Sequence, residues 1–157
     1  MPNFLEQIAA EWFEVRGYFV RRNVKVGPRK TGGWDAELDV VAFDPITKHL
    51  VHVEPSSDAL PWDRREERFR KKFDAGRKHI PGLFKGFGKL PEIEQIALFV
   101  FGSGKRHPTV GGGQVLMIAD LMADIRQYMK NRSIQSKAIP EQFVILRTLQ
   151  YAAQLWR

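Results

Sequence analysis

The chain has 157 residues, 43% of them hydrophobic and 27% charged, which is typical of one globular domain and not of a disordered segment. It has no cysteine, which excludes disulfides, thiolate metal ligands and cysteine nucleophiles and fits a reducing, cytoplasmic compartment. The formal net charge is +7, no apolar run approaches the about 20 residues that span a bilayer, and the N-terminus lacks a secretory signal, so we expect a cytoplasmic protein without a membrane partner.

The N-terminal segment predicts a helix over residues 3–16 and a strand over 18–26. Asn3 is a suitable N-cap, and Glu6 follows three residues later, as in a capping box. Apolar residues recur at helical spacing along this segment. Gly17 stands where glycine commonly ends a helix, so we expect the helix to stop there.

Two adjacent strands, over 36–44 and 49–55, form the centre of the predicted sheet, and a turn at Pro45 joins them. The first strand carries Asp39 and the second carries Glu54. A carboxylate inside a valine-rich strand is costly to bury unless it is paired or bound to a metal. Because paired strands can bring both carboxylates to one point, we predict a site for a divalent metal ion and a phosphodiester. The alternative is that both acids lie at hydrated strand ends in ordinary ion pairs.

A long helix over 62–79 follows, and it lies in the segment that carries the charge excess of the chain. Between residues 64 and 89 there are ten basic and three acidic residues, whereas the rest of the chain is neutral overall. A basic surface this localised is typical of a protein that binds a polyanion, so we predict DNA as the partner. The alternative is an ordinary solvated helix face. The candidate nucleic-acid-binding residues are Arg64, Arg65, Arg68, Lys71, Lys72, Arg77 and Lys78.

The C-terminal half predicts two further strands and two further helices around a glycine-rich loop. The predicted ranges are a loop over 80–91, a strand over 95–101, the glycine-rich loop over 102–113, a strand over 114–119, a helix that Asp120 caps and that ends near residue 131, and a helix over 140–156. The whole order predicts an α/β fold in which a mixed central sheet of about five strands is flanked by helices. We expect one domain over 1–157, with the C-terminal helix packed on its core.

The central strands and the helices around them resemble the PD-(D/E)XK, or restriction-endonuclease-like, nuclease superfamily, and in particular its small resolvase-like and restriction-like members. The segments that carry the resemblance are ELDVVAFD at 37–44 and LVHVEPS at 50–56, and the likeness covers residues 3–101. It implies a DNA endonuclease that depends on Mg²⁺ or Mn²⁺ and hydrolyses phosphodiester bonds, in repair, recombination or foreign-DNA defence.

The resemblance also implies roles for single residues. Asp39 and Glu54 would be the metal ligands. Glu6 would be an outer-sphere or second-metal acid, and the capping box is the alternative role for the same side chain. Because small single-domain nucleases of this kind need two copies to cut both strands, the resemblance favours a homodimer.

The sequence departs from the superfamily pattern at Ser56, two residues after Glu54, where the pattern has a catalytic lysine. Serine has no charge and cannot replace lysine alone, but Ser56 is kept with Asp39, Glu54 and Lys72 as a candidate catalytic residue.

Arg65, Arg68 and Lys72 form a stripe at helical spacing on the basic helix. We expect Lys72 to replace the lysine because its position next to Phe69 and Phe73 aims it near the sheet. The alternative is that all three cations only contact phosphate or solvent. Two other outcomes stay open: Ser56 and its neighbour Asp58 shape the metal shell, or the protein is an inactive nuclease-like module that only binds nucleic acid.

The glycine-rich segment and the histidines predict no further functional site. The segment 102–106, GSGKR, lacks the glycine and the Ser or Thr of a phosphate-binding loop, so no nucleotide site is predicted. The four histidines form no metal-binding pattern, and we interpret His52, which shares a strand face with Glu54, as structural. A small-molecule enzyme is a third hypothesis, which would require a deep apolar cleft at Glu54.

Overall fold

The computed structural model describes residues 3–156, and within them six strands form one sheet with four α-helices around it. The helices are α1 (Phe4–Glu14), α2 (Trp62–Leu83), α3 (Ile118–Met129) and α4 (Val144–Leu155). The strands are β1 (Phe19–Pro28), β2 (Trp34–Asp44), β3 (His49–Ser56), β4 (Ile93–Phe99), β5 (Thr109–Val110) and β6 (Gly113–Met117).

The sheet has the order β1-β2-β3-β4-β6-β5 and is mixed. The strands β1, β2 and β3 are antiparallel to one another, whereas β4 runs parallel to β3 and to β6. The predicted α/β fold with a mixed sheet and flanking helices is therefore confirmed. The sheet has one strand more than expected because the short β5 lies inside the predicted glycine-rich loop and pairs with β6.

Alternating side chains of the central strands divide between two apolar layers. Val40 and Val51 face α1, α3 and α4, where they join the largest hydrophobic cluster. Val41 and Leu50 face the other side of the sheet and pack with Ile80 of α2. The helix α2 thus packs on the sheet face that also carries Asp39 and Glu54.

The predicted start of α1 is confirmed. The side-chain oxygen of Asn3 accepts a hydrogen bond from the backbone N–H of Glu6 at 3.0 Å, and the amide of Asn3 donates to the carboxylate of Glu6 at 2.7 Å. Gly17 has a φ of +92°, which glycine adopts without the strain that a side chain would cause. The sequence pattern was therefore sufficient to predict the start of this helix, whereas the helix ends at Glu14, two residues before the expected end at residue 16.

Several other predicted boundaries are wrong. The helix α2 continues to Leu83, through the start of the predicted loop, because Ile80 is fully buried against the sheet and holds the last turn in place. Asp120 lies in the first turn of α3 and is not its N-cap, which is Met117. The helix α4 begins at Val144 and not at 140, since Pro140 forms a turn that accepts from the N–H of Phe143.

Between residues 3 and 156, no helix is both long enough and apolar enough to cross a bilayer.

Candidate active site

The ladder between β2 and β3 brings the two predicted acids together. Its register places Val40 opposite Val53, and Asp39 and Glu54 are the next residues beyond that pair. Here the side chain of Glu54 enters the space between the strands, where its Oε1 accepts the backbone N–H of Asp39 at 3.3 Å. Glu54 is fully buried, and Asp39 is 9% exposed. The two acids are therefore neighbours inside the protein and do not lie at hydrated strand ends.

Lys72 of α2 joins both acids. Its Nζ lies 3.0 Å from Oδ2 of Asp39 and also donates to Oε2 of Glu54. Phe69 and Phe73 flank Lys72 along the helix, and both are buried against the sheet, so they fix the direction from which the lysine approaches. The structure thus brings together Asp39, Glu54 and Lys72, three of the four residues expected to form the reacting centre.

The charges of this cluster are strongly coupled. The pKa of Asp39 rises to about 7 because burial disfavours its carboxylate and the nearby Glu54 adds to the effect, which exceeds the opposing attraction of Lys72. Burial acts on Glu54 in the same direction, but hydrogen bonds from His52 and Asp39 and the charge of Lys72 outweigh it and lower its pKa to about 2. Burial lowers the pKa of Lys72, yet the two carboxylates raise it overall. Glu54 and Lys72 are therefore charged at neutral pH, and Asp39 is the member whose proton is exchanged there.

His52 contacts the same cluster, although its sequence pattern indicated only a structural role. Its Nε2 lies 2.7 Å from Oε1 of Glu54, and its Nδ1 lies 3.1 Å from Nε2 of Gln95. Both His52 and Gln95 are buried. The alternation of β3 already places His52 and Glu54 on one face, so the sequence contained the signal for His52. It contained none for Gln95, which comes from the neighbouring strand β4.

Ser56 does not join this cluster. Its hydroxyl donates to Oδ2 of Asp58, the same oxygen that accepts a hydrogen bond from Arg68 at 2.6 Å. Arg65 is only 2% exposed and donates to the backbone carbonyls of Asp58 and Phe101 at 2.7 and 2.8 Å. These residues fix the connection between β3 and α2. Of the helical stripe of three cations, only Lys72 contacts the two acids.

The outer face of α2 carries the other predicted cations. An open groove of about 490 Å³ leads along this face to Lys72, and its lining includes Arg64, Arg68 and Lys71. Lys71 also pairs with Glu67 at 2.9 Å, and such exposed pairs contribute little to stability. The buried Arg65 does not lie on this surface.

Two further candidates lie elsewhere on α2. Arg77 pairs with Asp74 and donates to Gln95, so part of its donor capacity is already used. Lys78 lies 3.8 Å from Asp35 of β2 and is otherwise exposed.

Two carboxylates, those of Asp39 and Glu54, are available as ligands for a divalent cation. In the described residues 3–156, no group of three or more His, Cys, Asp or Glu side chains has the arrangement of a metal site. Asp39 and Glu54 nevertheless both reach one cationic atom, Nζ of Lys72. Mg²⁺ typically keeps several waters and is bound through one or two carboxylates, so this donor pair fits it. Glu6 contacts Asn3 and Asn23 and does not contact Asp39 or Glu54, which favours its capping role.

No protein-family model and no curated protein matches the sequence.

Proposed function

We propose that the protein is a metal-dependent DNA endonuclease that hydrolyses phosphodiester bonds. The observation that carries this proposal is the convergence of Asp39, Glu54 and Lys72 on one point next to a basic groove. Two acids with a nearby lysine are what the resemblance implies for the reacting centre. The lysine is supplied by α2 in place of the strand position that Ser56 occupies.

Each of the three side chains has a chemical task in this proposal. Asp39 and Glu54 would hold the divalent cation, Mg²⁺ or Mn²⁺, which when bound stabilises negative charge on the phosphate and lowers the pKa of water. Lys72 would orient the attacking water and offset the charge that develops on the phosphate oxygens. Its raised pKa supports the second task, because the ammonium stays charged at neutral pH.

The groove along α2 supports DNA as the substrate. Its cations would contact the phosphate backbone, and such contacts give affinity without base specificity. Arg64, Lys71 and Lys78 are exposed along this helix. A single reacting centre cuts one strand at a time, so cleavage of both strands would use a homodimer.

An enzyme acting on a small apolar molecule is less well supported. A cavity of about 270 Å³ lies between α1 and the sheet, and its lining mixes apolar residues such as Trp12 and Val53 with charged ones such as Arg16 and Asp124. Val53 precedes Glu54 in β3 and faces the opposite side of the sheet, so a ligand in this cavity would not reach the acids. The groove next to Lys72 is open and basic, as a polyanion requires.

A second candidate function is a nuclease-like module that binds DNA without cutting it. Lys72 supports it, because the ammonium already satisfies both carboxylates and makes a stable cluster without a metal ion. This alternative predicts DNA binding that decreases with salt, needs no metal, and persists when Asp39 and Glu54 are replaced.

The two candidates are separated by incubating the purified protein with supercoiled plasmid in Mg²⁺, in Mn²⁺ and in EDTA. The endonuclease should nick or linearise the plasmid with either metal, and Asp39→Asn and Glu54→Gln should abolish cutting. Glu37→Gln is the matched control, because Glu37 is an exposed acid two residues before Asp39 on the same strand. Full activity of the Asp39 and Glu54 variants would contradict the proposal. DNA binding without cutting in either metal would favour the second candidate.

A further inference from the structure

A chain of polar side chains connects Glu54 to the surface. One oxygen of Glu54 contacts Lys72, and the other lies 2.7 Å from Nε2 of His52. The second ring nitrogen of His52 contacts Gln95, whose carbonyl oxygen accepts from Arg77 at the protein surface. His52, Glu54 and Gln95 are all buried, so no solvent competes for these hydrogen bonds.

The partners of Gln95 determine which way its amide group points. Arg77 can only donate, so the Gln95 atom that faces it must be the carbonyl oxygen. The other amide atom lies 2.9 Å from the carbonyl oxygen of Phe73, which can only accept, so that atom must be the NH₂ group. Both ends of the amide give the same orientation.

This orientation fixes the tautomer of His52. Because the NH₂ group of Gln95 also faces Nδ1 of His52, Nδ1 must be the acceptor and carries no proton. The ring proton therefore lies on Nε2, which donates to Oε1 of Glu54. A ring held in this way orients the carboxylate of Glu54 through one fixed hydrogen bond.

The helix α2 packs closely against His52. A Cβ atom at Gly76 of α2 would lie 2.3 Å from Nδ1 of His52 and 3.0 Å from Nε2 of Gln95. The helix can therefore approach the ring only because residue 76 has no side chain. The ring of Phe73 contacts His52 edge-on at a centroid distance of 5.5 Å. The backbone of His52 is paired on both sides, with Val41 and with Gln95.

We propose that His52 is a positioning residue for Glu54, held by Gln95 and Arg77 in the orientation in which Nε2 donates to Glu54. The hydrogen-bond chain stands on its own geometry, whereas its role in cation binding rests on the proposed function. Groups that orient a metal-binding side chain typically change metal affinity or activity by about 10- to 100-fold when they are removed.

The first test is the tautomer, which is independent of activity. Two-bond ¹H–¹⁵N spectra of the metal-free protein at pH 7 should give His52 a protonated Nε2 and an unprotonated Nδ1. Gln95→Met should remove the donor to Nδ1 and produce a mixture of tautomers. Gln114→Met is the matched control, because Gln114 is exposed on the next strand and should leave the His52 signals unchanged. A protonated Nδ1 in the unmodified protein would overturn the proposal.

The second test compares two substitutions of the same residue. His52→Gln retains an N–H group that can reach Glu54, whereas His52→Leu does not. Calorimetric titration with Mn²⁺ should give about 10- to 100-fold weaker binding for His52→Leu and a smaller loss for His52→Gln. Circular dichroism establishes that each variant is folded, and Gln95→Met provides the same comparison if His52→Leu does not fold.

The outcomes of these tests separate the two proposals. Equal Mn²⁺ affinity of folded His52→Leu and His52→Gln would overturn the positioning role, even if the unmodified protein cuts DNA. Failure of the unmodified protein to bind Mn²⁺ and to cut DNA would instead contradict the endonuclease proposal. The tautomer spectra would still decide whether the hydrogen-bond chain exists.

Discussion

Lys72 contacts Glu54, although it lies 18 residues further along the chain and on the following helix α2. A lysine two residues after the acid would have been on the strand itself, where Ser56 stands. The proposed hydrolysis requires a positive charge beside the carboxylate, and any segment that packs there could supply it. Phe69 and Phe73 pack on the sheet on both sides of Lys72 and thereby fix the position of the lysine relative to the two acids.

Replacing Lys72 should lower both plasmid cleavage and stability. Lys72→Met removes the charge that would orient the attacking water, so plasmid cleavage should fall by about 100-fold or more. The free energy of unfolding should fall by about 1–3 kcal/mol, because two buried carboxylates lose a hydrogen-bond donor. Lys85→Met, which changes an exposed lysine of the same basic segment, is the control and should leave both quantities unchanged. Cleavage by Lys72→Met at the unmodified rate would contradict the role of this lysine.

Asp39 should make the stability of the metal-free protein depend on pH. Its pKa rises from 3.8 to about 7 on folding. The favourable contribution of Asp39 to the free energy of unfolding is therefore complete below pH 4 and is lost as the pH rises through 7. Urea denaturation should therefore show Asp39→Asn gaining stability relative to the unmodified protein between pH 5 and pH 8.

The same urea denaturation experiment also tests metal binding. At pH 8, Mg²⁺ should stabilise the unmodified protein, because a ligand that binds only the folded state raises the free energy of unfolding. It should have little effect on Asp39→Asn, whereas Glu37→Gln should respond like the unmodified protein. A constant difference between Asp39→Asn and the unmodified protein at all pH values would contradict the raised pKa.

The sequence was sufficient to predict the centre of the site. Asp39 and Glu54 are on strands joined by a short turn, and such strands are usually paired, so their proximity followed from local pattern alone. Helical spacing then indicated which cations of α2 face the same side. It also indicated the burial of Arg65, which is four residues before the apolar Phe69. We missed that signal because charged residues are rarely buried.

Contacts between distant segments could not be predicted in the same way. The hydrogen bond between Gln95 and His52 depends on β4 lying beside β3 and on the missing side chain of Gly76. The start of α4 depends on Glu11 of α1, whose oxygens accept the backbone N–H groups of Ile145 and Leu146 at 3.3 and 2.9 Å. No local pattern in either segment indicates these pairings.

Glu11 should therefore be important for stability and not for catalysis. It is fully buried, and its negative charge lies at the N-terminus of α4, where the helix dipole favours an anion. Glu11→Ala leaves two N–H groups without their acceptor, so the free energy of unfolding should fall by about 2 kcal/mol. Urea denaturation measures the change, and Glu141→Gln, an exposed acid just before α4, is the control. A loss of cleavage in folded Glu11→Ala at low temperature would show that the role is not only structural.

The groove along α2 should determine DNA affinity and its salt dependence. Arg64 and Lys71 line the groove without contacting the acids, so the double variant Arg64→Gln with Lys71→Gln should bind all DNA sequences more weakly. Each lost phosphate contact should reduce the slope of log K against log salt concentration by about 0.9, measured by fluorescence anisotropy at several KCl concentrations. At saturating DNA, the rate of cleavage should stay close to that of the unmodified protein, because Asp39, Glu54 and Lys72 are intact. Lys130→Gln removes an exposed charge at the end of α3, on the other face of the sheet, and should change neither affinity nor slope. An unchanged slope in the double variant, or an equal loss in the control, would place the DNA-binding surface elsewhere.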